Sequence, residues 1–207
     1  MNRRIALTVI AVAFVGTAAS SQPPLPPQPP AMPKATELVL EDQFDRKADL
    51  TDLRGSVVIV VYGDRKATEA CRALGESLHV FWHPDAKGQL PAKARAAAVT
   101  PLENLKPGQT SPDVIVVPAA CCGKVPAAIR GAIRSQIAKG SPDVVVWLDF
   151  ADTLKTMFGQ TPGEPNSAVF DAEGRLRLKF NGALDQAAMD KLTKTAQGLR
   201  VESLQNK

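Results

Sequence analysis

The chain has 207 residues and a formal net charge of +4, and only 5% of its residues are aromatic. That balance gives no basic face with interleaved aromatic rings, so it supplies neither the electrostatic footprint nor the stacking platform of a nucleic-acid binder. The three cysteines are an odd number, so if the chain is exported at least one thiol is free or paired between chains.

Residues 1–20 read as an export signal. Arg3 and Arg4 make the basic start, Ile5 to Val15 is an apolar run too short to span a bilayer, and Gly16 to Ser20 are small residues suited to cleavage. Cleavage removes two arginines and lowers the net charge to +2. A secreted or periplasmic location follows, with no stable membrane insertion after cleavage. Residues 21–35 are a proline-rich linker of extended backbone. Residues 36–207 remain for one domain.

Within that domain a short strand is predicted at 37–40, then a polar turn Asp49-Leu50-Thr51-Asp52-Leu53-Arg54-Gly55. Val57 to Tyr62 is a continuous β-branched run, the pattern of a strand buried on both faces. A helix from about Lys66 to His79 carries the stripe Ala67, Ala70, Cys71, Leu74 and Leu78. Residues 84–112, rich in Pro, Ala, Lys and Gly, read as a surface insertion with a short helix near 92–98. A second buried strand follows at 114–118, a helix at 125–138 with Ile129, Ile133 and Ile137 on one face, and a third strand at 144–148. A short helix at 150–158 leads into a glycine-rich loop ending at Pro165. A hairpin of 167–171 and 175–180 and a helix at about 184–199 close the chain. Strands alternating with helices and a terminal hairpin predict an α/β fold, with a central mixed sheet and helices on both faces.

The stretch Leu50-Thr51-Asp52-Leu53-Arg54-Gly55 before the buried run, together with the Pro165 loop and hairpin, resembles the redoxins of the thioredoxin-like superfamily. These are relatives of peroxiredoxins and cytochrome-maturation thioredoxins, and the chain looks closest to YtfJ-like periplasmic proteins. The resemblance covers roughly residues 44–199. It implies a thioredoxin-like fold and a cis-proline at Pro165, and it places the active site at the rim after the first central strand.

The chemistry at that rim departs from the family. Where thioredoxins carry Cys-x-x-Cys this chain has Ala67 and Ala70. Peroxiredoxins use Pro-x-x-x-Thr-x-x-Cys, and here Thr68-Glu69-Ala70-Cys71 matches only the last half, with Asp64 in the proline position. The resemblance makes Cys71 the candidate nucleophile and Thr68 the candidate orienting hydroxyl, with Arg72 or Arg65 as sources of positive charge. If Thr68 caps the helix, Cys71 lies in its first turn, where free N–H groups favour a thiolate. If Asp64 caps it, Cys71 packs inward as an inert hydrophobe. The run Asp64-Arg65-Lys66-Ala67 favours the earlier start.

Glu164, before Pro165, would bring a carboxylate to the pocket and disfavour a thiolate. Cys121 and Cys122 follow the second central strand, so they fall on the same rim. Either could resolve Cys71 through a disulfide, or both could be unpartnered loop thiols. His79 and His83 sit one turn apart, but Pro84 marks a helix end there, so no metal site is predicted and no cofactor is implied. Two functions follow. One is an exported thiol-dependent oxidoreductase, peroxidase-like or disulfide-handling, acting on a protein thiol/disulfide partner or a small peroxide. The other is a redoxin domain without turnover that binds a partner at the Pro165 rim, with Pro165, Glu164 and Arg65 at the binding surface.

Overall fold

The computed structural model describes residues 34–103 and 105–205. The predicted signal and the linker through Pro33 lie outside the described residues. In chain order the elements are β1 (Val39–Asp42), β2 (Lys47–Asp49), β3 (Val57–Gly63), α1 (Thr68–Trp82), α2 (Pro91–Arg95) and β4 (Val114–Cys121). They continue with α3 (Ala127–Gly140), β5 (Trp147–Asp149), α4 (Thr153–Phe158), β6 (Asn166–Phe170), β7 (Leu176–Asn181) and α5 (Gln186–Gln205).

The strands form one seven-stranded sheet in the order β2-β1-β5-β4-β3-β6-β7. Every residue of β3 is buried, because it lies mid-sheet between β4, which is parallel, and β6, which is antiparallel. The block β4-β3-β6-β7, with its antiparallel hairpin beside the first central strand, is the thioredoxin-like arrangement that the resemblance implied.

Alternation along β3 divides the core in two. Val58, Val60 and Tyr62 pack with Val117, Ala119, Phe170 and the α4 residues Leu154 and Phe158. Val57, Ile59 and Val61 pack with Leu78 and Trp82 of α1 and with Leu192, Ala196 and Leu199 of α5. Each fully buried aliphatic side chain contributes roughly 1.5–3 kcal/mol of transfer free energy.

Several boundaries differ from the sequence expectation. β1 starts two residues late and turns back into β2, which Lys47-Ala48-Asp49 does not announce because none of the three favours strands. The turn is built by Asp42, whose carboxylate accepts the N–H groups of Phe44 and Arg46 at 2.8 and 3.0 Å. β4 runs past Pro118 to Cys121, and β5 joins it only from Ala119 onward. The strand predicted at 144–148 is delayed to Trp147 because the Gln43 side-chain amide takes the Val144 carbonyl and the Val146 N–H at 2.7 and 2.8 Å. The isoleucine face of α3 is only half-buried, with Ile129 still 46% exposed. α3 is held instead by Arg130 and Arg134, which lie over the Phe150 ring and reach Glu41.

Candidate functional site

β3 ends at Gly63, and the next residue organises the rim. One Asp64 oxygen accepts the N–H groups of Lys66 and Ala67 at 2.9 and 3.2 Å, and the other accepts the Gly163 N–H at 2.9 Å. A single carboxylate thus caps the 3-10 turn Arg65–Ala67 ahead of α1 and fastens the loop that precedes β6. Neither expected cap is the helix's own: Asp64 caps this 3-10 turn, and α1 begins at Thr68 behind Ala67, with Cys71 as its fourth residue.

Desolvation pushes the Asp64 carboxyl up, but the three backbone donors and the Lys66 charge outweigh it and hold it below the usual range. An unfolded aspartate titrates near about pH 3.9. A depressed folded value means that this stabilisation is complete above that pH and is lost as the pH falls through the folded value. Urea midpoints measured from about pH 6 to about pH 3 should therefore fall less steeply in Asp64→Asn than in the parent. Equal slopes would show that Asp64 adds nothing.

Asn166 completes the rim from below. It is fully buried. Its amide nitrogen donates to the carbonyls of Glu164, Tyr62 and Thr161 at 2.9, 3.3 and 3.4 Å. Its oxygen accepts the N–H groups of Thr161 and Gly182 at 2.8 and 3.1 Å. Only one orientation of the amide satisfies all five partners. Beneath it the buried Tyr62 hydroxyl donates to the Gly159 carbonyl at 2.8 Å, and burial raises its pKa.

Cys71, part-buried, packs against Gly63 at this rim. A Cβ on Gly63 would stand 2.7 Å from both the Cys71 sulfur and the Ala67 Cβ, and 3.3 Å from the Glu164 carbonyl oxygen. Glycine is required here by close approach, and Gly63→Ala should cost about 1–3 kcal/mol through overpacking. Adding Cys71→Ala should recover part of that loss in a double-mutant cycle; a Gly63→Ala protein as stable as the parent would refute the contact.

Burial, then the negative charge of Asp64, pushes the Cys71 thiol up to about 11, although the Asn166 N–H pulls the other way. At neutral pH the thiol, not the thiolate, is therefore the dominant form. The groups meant to activate it are engaged elsewhere. The Thr68 hydroxyl donates to the Arg65 carbonyl at 2.9 Å. Arg72 pairs with Glu69 at 2.6 Å on the exposed face of α1. Arg65 is exposed at a shallow groove.

Glu164 corrects a second expectation. It is exposed, and its carboxylate accepts the Ala183 N–H at 2.9 Å and lies against Gly182, in the connection from β7 to α5. The acid that disfavours the thiolate is Asp64, not Glu164. Pro165 is buried. No cis peptide bond occurs among the described residues, so the Glu164–Pro165 bond is trans, contrary to what the resemblance implied. The loop keeps its place through the Asn166 amide instead.

All three thiols are free. Cys121 ends β4 and packs with the Tyr62 side of the core, whereas Cys71 packs with the Val61 side. Burial first, then Asp149, Cys122 and Cys71, push the Cys121 thiol up to about 12. Burial and Asp149 push Cys122 up to about 11, and its thiol points at the Ala120 carbonyl at 3.5 Å. β4 runs parallel to β3 with Ala120 opposite Gly63, and no cation is among the groups that shift any of the three thiols. A groove of about 300 Å³ is lined by Asp64, Arg65, Lys66, Pro162 and Gly163.

His79 and His83 sit at the far end of α1, bonded to protein acceptors, and no cluster of three metal-ligating side chains occurs among the described residues. Asn166 and Gly63 were not singled out from the sequence. The available signal was a polar residue directly after Pro165 and at the head of an apolar run, and a glycine closing a β-branched one.

No described helix is long and apolar enough to cross a membrane. No protein-family model matches the chain, and no curated protein matches it in sequence. Solved structures do. The exposed lipoprotein thioredoxin of Streptococcus pneumoniae is 16% identical, with 77% of this chain and 99% of that one covered and a TM-score of 0.49. A thioredoxin-family thiol:disulfide interchange protein of Chlorobium tepidum is 14% identical, with 82% and 99% covered and a TM-score of 0.46. DsbF of MTB, in mixed oxidised and reduced forms, is 15% identical, with 79% and 95% covered and a TM-score of 0.46.

Proposed function

We propose that this chain is an exported thioredoxin-fold domain that binds a partner polypeptide at its rim and does not turn over disulfides or peroxide. The state of Cys71 carries the reading. Its thiol is part-buried against Gly63 and held near 11 by burial and Asp64, while Ala67 and Ala70 occupy the dithiol positions. A nucleophilic cysteine needs the reverse: access, a nearby cation and a depressed pKa. What the rim does offer is a fixed groove with the exposed side chains of Arg65 and Lys66 at its mouth. Asp64 and Asn166 hold its walls at almost no further entropic cost.

The test has two arms. The purified domain is exposed to stoichiometric hydrogen peroxide and each cysteine is followed by mass spectrometry over seconds. Cys71 should remain reduced. Rapid oxidation of Cys71, or a Cys71–Cys121 or Cys71–Cys122 link with the loss of two hydrogens, would replace this reading with the thiol-dependent oxidoreductase. In the second arm, cross-linked partners from an envelope extract should be retained by Cys71→Ser and lost from an Arg65→Glu, Lys66→Glu double variant. Partners lost from Cys71→Ser alone would contradict a thiol-independent surface.

A further inference from the structure

The connection from β7 to α5 carries a dipeptide with chemistry of its own. Asn181 ends β7 and is exposed, and Gly182 follows it, buried and with a φ of +101°. No other asparagine of the chain precedes glycine. The pairing matters because glycine has no Cβ to crowd the approach of its own nitrogen to the preceding side chain. That nitrogen can attack Asn181 Cγ, close a succinimide ring and expel the side-chain nitrogen as ammonia. Water then opens the ring at either carbonyl. One opening leaves aspartate. The other leaves isoaspartate, with the main chain routed through the former side chain. The net exchange is amide and water for carboxylate and ammonium.

The fold withholds both reacting groups. The Gly182 N–H donates to Asn166 Oδ1 at 3.1 Å in a buried bond, so the hydrogen that must leave points at a buried acceptor and not at solvent. Asn166 is fixed in turn, since its nitrogen donates to the carbonyls of Glu164, Tyr62 and Thr161. The electrophile is seated too. A Cβ on Gly159 would lie 2.6 Å from the Asn181 amide nitrogen and 3.3 Å from its Cγ, so this side chain rests on the Gly159 backbone. The Tyr62 hydroxyl stands 3.4 Å from its oxygen. The next residue is held as well, because Ala183 donates its N–H to the Glu164 carboxylate at 2.9 Å.

The Asn166–Gly182 and Glu164–Ala183 bonds also join this connection to the loop before β6, one wall of the rim. Isoaspartate inserts a methylene into the main chain between residues 181 and 182, a displacement of about 1.5 Å. Hydrogen bonds of 3.1 and 2.9 Å do not survive such a shift.

We propose that Asn181-Gly182 is a deamidation site kept silent by the Asn166 tie, and that its reaction, once the rim has opened, keeps the rim open. Opening frees the Gly182 N–H to solvent base and lets the Asn181 side chain swing onto its own backbone. The isoaspartate product cannot remake the bonds to Asn166 and Glu164. The step needs only water, and it does not depend on whether the rim binds a partner.

Mass spectrometry of the peptide from β7 into α5 reads the reaction as an amide exchanged for a carboxylate, with the isoaspartate form separated by chromatography. In mildly alkaline buffer the folded full chain should react at least about tenfold more slowly than the same chain in guanidinium chloride. Asn166→Leu removes the acceptor and keeps the bulk, so it should approach the unfolded rate while β3 amides stay protected. If Asn166→Leu loses β3 protection and so fails to fold, Glu164→Ala decides in its place. Glu164 is exposed, and freeing the Ala183 N–H should speed the reaction severalfold. The isoaspartate form, isolated from long incubation of the folded parent, should label faster with iodoacetamide at Cys71 while Cys121 and Cys122 keep their parent rates. Equal rates in folded and unfolded parent would overturn the shielding, and equal rates in parent and folded variant would overturn the tie. Parent-like labelling of Cys71 in the isoaspartate form, or faster labelling of all three cysteines, would overturn the lasting opening of the rim.

Discussion

Arg200→Ala should lower the unfolding free energy by about 3 kcal/mol and strip protection from Thr100 through Pro112. Arg200 is 1% exposed, among the largest fully buried side chains described. It spends its hydrogens on two main-chain carbonyls, Pro112 and Thr100, and on the Gln197 side chain. Truncation leaves the buried Pro112 carbonyl without its Arg200 donor, at roughly 1–3 kcal/mol, releases the part-buried Thr100 bond, and opens a void beside Trp82. Arg200→Met, which restores bulk but no donor, should recover less than about 1 kcal/mol. The measurement is a urea transition with the slope held as a check on two-state behaviour. A loss smaller than about 1 kcal/mol would mean that water replaces the guanidinium and that the residue is less central than its burial implies.

Asn166→Asp should cost about as much, roughly 3 kcal/mol, for a change of one atom. The amide nitrogen faces three carbonyls. A carboxylate oxygen in its place has no hydrogen to give and repels all three. The effect should be local before it is global. Residues 161–165 lose their tie to β3, the Glu164 carbonyl lifts from Gly63, and Cys71 becomes open to alkylation. Iodoacetamide labelling of native protein should rise at Cys71 in the variant while Cys121 and Cys122 stay near their parent rates. Unchanged labelling at Cys71 would show that the loop is held by something other than Asn166.

These two residues also mark where sequence reading stopped. β3 was legible because seven consecutive buried positions demand an unbroken apolar run, and the hairpin around Gly174 because the turn and the alternation of β7 are local signals. The capping role of Asp64 was legible too, since it stands at the right distance to accept from Lys66 and Ala67. The roles of Asn166, Arg200 and Gln43 were not legible. Each satisfies main-chain groups brought near by long-range folding: Gln43 reaches residues a hundred positions away, and Arg200 reaches Thr100. A side chain's polarity states that it needs a partner, not which one. Glu164 failed for the same reason, because the Ala183 N–H that claims it comes from the far side of the hairpin.

The position of β3 at the middle of the sheet has a consequence for how the chain is made. Its two ladder partners arrive at different times: Val60 pairs with Val117 on one side and with Ala168 on the other, the second more than a hundred residues downstream. Until β6 has been synthesised, one edge of Val57-Val58-Ile59-Val60-Val61 is bare, and it combines high strand propensity with no charge and no proline. Non-local pairing of this kind is slow. A nascent chain therefore carries an adhesive strand through most of its production. The interval between β4 and β6, including α3 with its weakly buried face, sets how long that exposure lasts.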